Sequence, residues 1–179
     1  WKMLDAATAK NEMNLSSRFF EQVRARLQEV PRDLELFFVV GKDELTSDSV
    51  NQQTLDMLVR ELRSYGRSLV NFTIQGAASP EGGFNSNKSL AANRARKILR
   101  IIGSQISSAD LVVKEPHVYT WDDVADSLVR YGQKAEAEEL RKYGQAHDLA
   151  GLNRMMASNM LIQRVMQNQR LIKSSYTIR

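Results

Sequence analysis

The stretch Ile74–Leu99, IQGAASPEGGFNSNKSLAANRARKIL, holds the residues with the most chemistry to offer. A polar, glycine-rich loop at 76–83 runs into an amphipathic helix expected over about 87–102. The start of such a helix presents unpaired N–H groups and a partial positive charge, which favours a ligand carboxylate or another anion. Gly82-Gly83 lets the backbone approach that ligand closely. Arg94 is the unusual residue of the helix. At about 100° per residue it falls roughly 40° from Leu90 and from Ile98, inside the apolar sector. Arg96, Lys97 and Arg100 fall on the solvated side. An arginine in an apolar stripe snorkels, pairs with an internal carboxylate, or receives a ligand. The glycine and lysine spacing fits neither a P-loop nor a dinucleotide fingerprint.

Other reactive types are sparse. The two histidines, His117 and His147, are too few for a histidine-rich metal site, and the absence of cysteine excludes disulfides, thiolate metal ligands and cysteine nucleophiles. Asp122-Asp123 and Glu138-Glu139 are adjacent on expected helices, so each pair points about 100° apart and makes a poor acid–base dyad. Ser79 has no histidine near it in sequence. We therefore expect no enzyme, no metal and no cofactor.

Length and composition set the frame. A chain of 179 residues with 42% hydrophobic and 26% charged residues suits one globular domain with a real core, or one carrying an insertion. The longest uncharged stretch, Ser68–Pro80, is 13 residues with Asn, Thr and Gln among them, too short and polar to span a bilayer. Residues 1–90 carry 11 Lys/Arg against 12 Asp/Glu, and residues 91–179 carry 14 against 9, so the net +4 sits in the second half. No aromatic residues interleave with these basic ones, and nucleic acid is not an expected partner.

The elements that must position Arg94 are read from periodicity. A helix is expected over 5–29, with Leu15, Phe19, Val23, Leu27 and Val30 on one stripe, stopped by Pro31. A strand follows over 34–40. Next comes a helix behind Thr46–Ser49 with Leu55, Leu58, Leu62 and Tyr65 inward, then a strand over 69–75 with Val70, Phe72 and Ile74 inward. After the 87–102 helix comes an irregular strand over about 111–119, containing Pro116. Thr120 caps a helix carrying Trp121, Val124, Ala125, Leu128 and Val129. Helices at 133–143 and about 149–168 follow, the last with Met155, Met156, Met160 and Met166 as core filler. A strand over 171–178 closes the chain. The order predicts an α/β (α+β) two-layer sandwich with a βαβαβ-type core and a mixed sheet. It also carries an N-terminal helical extension (1–33) and a helical insertion (120–168) before the last strand of a 34–179 domain.

The central stretch resembles the OmpA C-terminal-like (OmpA/MotB) domains, modules that hold peptidoglycan non-covalently. The family pattern is a strand ending in G-x-x-D, then x-x-G, N-x-x-L-S, x-x-R-A and a helix. This chain matches it in one ungapped frame of 20 residues: Gly76, Gly82, Asn87, Leu90 and the pair Arg94-Ala95. Phe37-Phe38 fits the aromatic pair of the family's first strand. The resemblance implies a non-catalytic cell-envelope module on the periplasmic face of the outer membrane. Its ligand-binding residues would be Arg94, Asn87, Ser79, Glu81, Gly76, Ala77 and Gly82. Arg94 would take the carboxylate of a diaminopimelate-containing stem peptide, and Asn87 would support the loop or the ligand. Envelope proteins are further partners, and membrane attachment of the full-length protein, by a β-barrel, a lipid anchor or another domain before Trp1, is compatible with this reading.

The chain departs from the pattern in charge. Ser79 stands at the aspartate position, Val39 where an earlier aspartate lies in some members, and Ala91 replaces the serine. A zwitterionic ligand needs an anion for its ammonium and a cation for its carboxylate. This sequence keeps the cation. Each lost charge-assisted hydrogen bond is worth about 1.5–3 kcal/mol. Glu81 is a substitute carboxylate, a solvated loop residue, or an ion-pair partner of Arg94. If the binding site is degenerate, the same fold serves as a structural or protein-interaction domain of an outer-membrane or surface-appendage assembly, with the extra helices as its working surface.

Overall fold

A computed structural model describes residue 18 and residues 27–106 and 109–179. The helix expected from residue 5 lies, through residue 26 and apart from residue 18, outside the described residues. Its expected last turn does not form. Gln28–Pro31 is instead a strand, β1, paired antiparallel to the last strand of the chain. The stretch 34–40 also differs from expectation. It makes only isolated bridges, Leu34 to Ile172 and Phe38 to Leu45, because the chain folds into a short hairpin around Gly41. There Val39 N–H donates to Glu44 O and Lys42 N–H to Val39 O.

Helix α1 (Ser49–Ser64) starts where the Asp48 side chain accepts from Val50 N–H. It buries Leu55, Leu58, Val59 and Leu62. A single 3-10 turn, Gly66–Ser68, leads into β2 (Leu69–Gln75). A register shift between Leu69 and Asn71 turns Leu69 into the core in place of the expected Val70, while Phe72 and Ile74 point inward as expected. Two residues of β3 (Ala77–Ala78) precede helix α2 (Phe84–Gly103), which begins three residues earlier than expected. The strand expected over 111–119 is two pieces, β4 (Asp110–Val113) and β5 (His117–Val118), with Pro116 between them.

The main sheet has the order β1-β6-β2-β4, where β6 is Lys173–Ile178. β2 and β4 run parallel and the other pairs antiparallel, so the sheet is mixed; β3 and β5 form a small parallel pair beside it. Helices α1 and α2 lie over one face. Leu58, Leu62, Phe72, Ile98, Ile102 and Tyr176 anchor the core between the two layers. This is the expected α/β two-layer sandwich with a helical insertion before the last strand.

The insertion holds four helices: α3 (Trp121–Arg130), α4 (Lys134–Gln145), α5 (Leu149–Ser158) and α6 (Met160–Gln169). Thr120 and Asp123 form a reciprocal capping box at the start of α3. The single helix expected over 149–168 breaks at Asn159. The Asn159 side chain turns back to accept from Leu161 and Ile162 N–H and so starts α6. These helices have a separate core around Leu128, Leu140, Leu152, Ile162 and Met166. Met155 and Met166 are core filler as expected, while Met160 is exposed.

Candidate functional site

The loop 76–83, which follows strand β2, and helix α2 present one wall of a cavity of about 690 Å³. The 33–41 segment and the end of α6 supply the rest. Arg94, Leu90, Asn87, Ser79, Glu81 and Gly82 all line it, so five of the seven expected site residues meet in one place. Gly76 and Ala77 do not line it. Ala77 is buried and paired with His117 in the small sheet. Gly76 acts through packing: a Cβ there would fall 2.0 Å from the Ala91 carbonyl oxygen, so its absence lets α2 close on the strand end.

The loop is held by Asn87. Its side-chain amide donates to the carbonyls of Ser79 (3.2 Å) and Glu81 (2.7 Å), pinning both sides of Pro80 to the first turn of α2. Gly82 adopts φ +89°, the left-handed backbone that allows this tight return. Of the two roles the sequence left for Asn87, loop support is the one these bonds describe.

Arg94 does not snorkel freely. Its guanidinium lies 4.7 Å from the Phe38 ring centroid, and Nε donates to Lys42 O at 3.0 Å. The backbone of the preceding residue, Phe37, is set in turn by Asn51, a buried residue of α1. The Asn51 side chain accepts from Phe37 N–H and donates to Phe37 O, both at 2.8 Å, and donates to Thr46 O. Among the described residues no carboxylate stands within ion-pair distance of Arg94. Burial, then the nearby charge of Arg170, push the guanidinium below its ordinary pKa, and Asp43 works in the opposite direction. A half-buried arginine remains charged at any working pH, so it is left short of counter-charge.

Glu81 and Ser79 have another partner. Arg170, just past the end of α6, donates from Nε to Ser79 Oγ (2.9 Å) and from Nη2 to Glu81 Oε1 (2.6 Å). The substitute carboxylate suggested by the sequence is thus engaged by Arg170 and not by Arg94. Ser79 is 4% exposed, and its hydroxyl accepts from a guanidinium, which is no general base. Two further carboxylates, Asp33 and Glu35, also line the cavity. Arg170, Asn51 and Asp33 were not found by sequence reasoning. Arg170 reads locally as a cation at a helix C-terminus, and nothing in its spacing points to a loop 91 residues earlier.

The adjacent acid pairs have structural uses. Asp123 completes the α3 cap, Asp122 and Asp126 pair with Arg141, and Glu139 accepts from Tyr143 Oη. His117 stands edge-on to Tyr119 at 4.4 Å between ring centroids and does not line the cavity.

The geometry defines an α/β sandwich with a cationic seat at the end of its central strand. The sequence matches no protein-family model and no curated protein. Among solved structures the chain is similar to the OmpA-like domain of FopA1 from Francisella tularensis, with 13% identity and a TM-score of 0.46. That match covers 86% of this chain and 75% of that one. It is also similar to the periplasmic domain of Helicobacter pylori MotB, with 9% identity and a TM-score of 0.43, covering 85% and 73%.

Proposed function

We propose that this chain is a non-catalytic module of the bacterial cell envelope that binds peptidoglycan through its stem peptide. Arg94 is the seat for the diaminopimelate carboxylate, and the 76–87 loop frames it. One observation carries the reading: a half-buried guanidinium, stacked on Phe38 and with no paired carboxylate among the described residues, borders a cavity large enough for an amino-acid side chain. Such a cation is an unfilled anion site. The spacing of Gly76, Gly82, Asn87, Leu90 and Arg94 supports the choice of ligand. On this reading the module works at the periplasmic face of the outer membrane.

Sedimentation with purified peptidoglycan sacculi tests it, with pellets washed at about 150 mM salt to screen weak surface attraction. Wild type sediments and Arg94→Gln stays in the supernatant. If wild type also stays in the supernatant, the reading fails.

A second reading, a protein-interaction domain of an outer-membrane or surface-appendage assembly, is favoured by the separate core of the four-helix insertion. That insertion also leaves Leu149, Met160 and Tyr131 exposed. Cross-linking that joins the insertion to an envelope protein, in a variant unable to hold sacculi, would support it.

A further inference from the structure

Arg94 can seat a carboxylate, but an amino-acid ligand also presents a nitrogen, and the corner beside Ser79 decides what form that nitrogen takes. In the resembling motif an aspartate stands there, fit to receive an ammonium. Here the corner holds a neutral, buried hydroxyl already bonded to Arg170 Nε at 2.9 Å. Glu81, the loop's own carboxylate, is engaged by Arg170 Nη2 at 2.6 Å. The two guanidiniums lie close enough for the charge of Arg170 to be felt at Arg94.

An ammonium entering this corner meets a like charge and finds the adjacent carboxylate occupied. An acylated nitrogen carries no charge. Its carbonyl oxygen accepts from a guanidinium N–H, and its N–H can donate to the remaining lone pair of Ser79 Oγ. We propose that, with Arg94 as the carboxylate seat, Arg170 and Ser79 make this site selective for an amino-acid carboxylate whose neighbouring nitrogen is acylated. A stem peptide joined through its side-chain amine has that chemistry; the free zwitterion does not. This specificity rests on the reading of Arg94 given above, and Arg170 is its determinant.

Calorimetric titration of the full chain with meso-diaminopimelate and with its N,N′-diacetyl derivative separates the two forms. The diacetyl form binds about tenfold tighter or more, the worth of one charge-assisted contact. Arg170→Gln removes the repelling charge and frees Glu81, so the ratio falls to about one or inverts. Arg170→Lys keeps the charge and keeps most of the preference. The Arg170 side chain is 42% exposed, so neither change threatens the fold, and thermal melts check this.

Tighter binding of the free zwitterion by wild type overturns the inference while leaving Arg94 as the carboxylate seat. A preference for the acylated form that survives Arg170→Gln also overturns it, since Arg170 then decides nothing. If neither compound binds and sacculi do not sediment the protein, the carboxylate seat itself fails, and this specificity fails with it.

Discussion

Arg170 donates from Nε to Ser79 Oγ at 2.9 Å, so the end of a four-helix insertion finishes a loop that leaves the central strand 91 residues earlier. The same guanidinium holds Glu81. One side chain thereby ties the helical segment to the cavity wall and takes the loop's only carboxylate out of reach of Arg94. Among the described residues the cavity is left with one arginine in an ion pair and one without. A binding site needs the second condition, and the ion pair at Arg170 helps to preserve it. Chain length outside the two-layer sandwich is therefore part of the site.

Replacing Arg94 should separate binding from stability. The side chain gains a ring contact and one carbonyl acceptor, but it bears a desolvation cost with no ion pair among the described residues. These terms oppose one another at a scale of about 1 kcal/mol each. Arg94→Met should keep its melting temperature within a few degrees of wild type while losing sacculus binding. A large drop in melting temperature would instead mark Arg94 as a structural residue.

Asn51 should matter to the site although it does not line the cavity. Its amide serves both the N–H and the carbonyl of Phe37 from a 3% exposed position. Asn51→Ala leaves those groups unpaired in a poorly solvated place, at a cost of about 1–3 kcal/mol. The neighbouring Phe38 then loses its fixed place under Arg94. Thermal unfolding should show the destabilisation, and binding should weaken even at temperatures where the variant is fully folded. Unchanged binding there would mean that Phe38 does not position Arg94.

The parts of this architecture that could be read from sequence are those with local causes. Strand Leu69–Gln75 and the helices after Asp48 and Thr120 follow from periodicity and side-chain caps. Arg94 stood out because it breaks an apolar stripe. What could not be read depends on distant partners. Gln28–Pro31 continues a helical pattern in sequence, yet β6 recruits it as an edge strand, since pairing with a formed sheet outweighs weak local propensity. The shift that buries Leu69 in place of Val70 is a bulge set by the register with β6. Asn159 splits the last helix through its own side chain, a short-range signal that the run of methionines concealed.

Acid should reveal the tie between the β1 exit and α1. Arg32 donates to Glu61 through Nε and Nη2, and these hydrogen bonds hold the Glu61 carboxyl below its ordinary pKa of 4.5, with burial acting against them. A carboxylate with a depressed folded-state pKa adds stability above its unfolded value, and this is lost as pH falls through the folded value. Arg32 is 47% exposed, so solvent and salt keep the effect modest. Melts of wild type and Glu61→Gln should differ most above the ordinary carboxyl value of 4.5 and converge as pH falls below it. A gap that stays constant across this range would show that the pair adds no pH-dependent stability.

Gly76 should be the least replaceable residue of the loop, for reasons of space and not of backbone conformation. A methyl group there would sit 2.0 Å from the Ala91 carbonyl oxygen and 2.6 Å from its carbon. Both belong to the backbone of α2, which cannot yield like the end of a flexible side chain. Ala91 is itself buried, so the helix must shift as a body and carry Asn87 and Arg94 with it. Overpacking of this kind costs about 3 kcal/mol or more, which for a chain of this size lowers the melting temperature by roughly 6–12 °C. Gly41→Ala is the comparison. It has open space around its Cβ but a φ of +70°, so its cost is conformational and about 1 kcal/mol. Thermal melts should therefore rank Gly76→Ala well below Gly41→Ala. Sacculus binding should fall in the Gly76 variant even where it remains folded, because the helix that carries Arg94 no longer closes on the strand end. Equal melting temperatures for the two variants would mean that α2 does not approach the strand as closely as this packing requires.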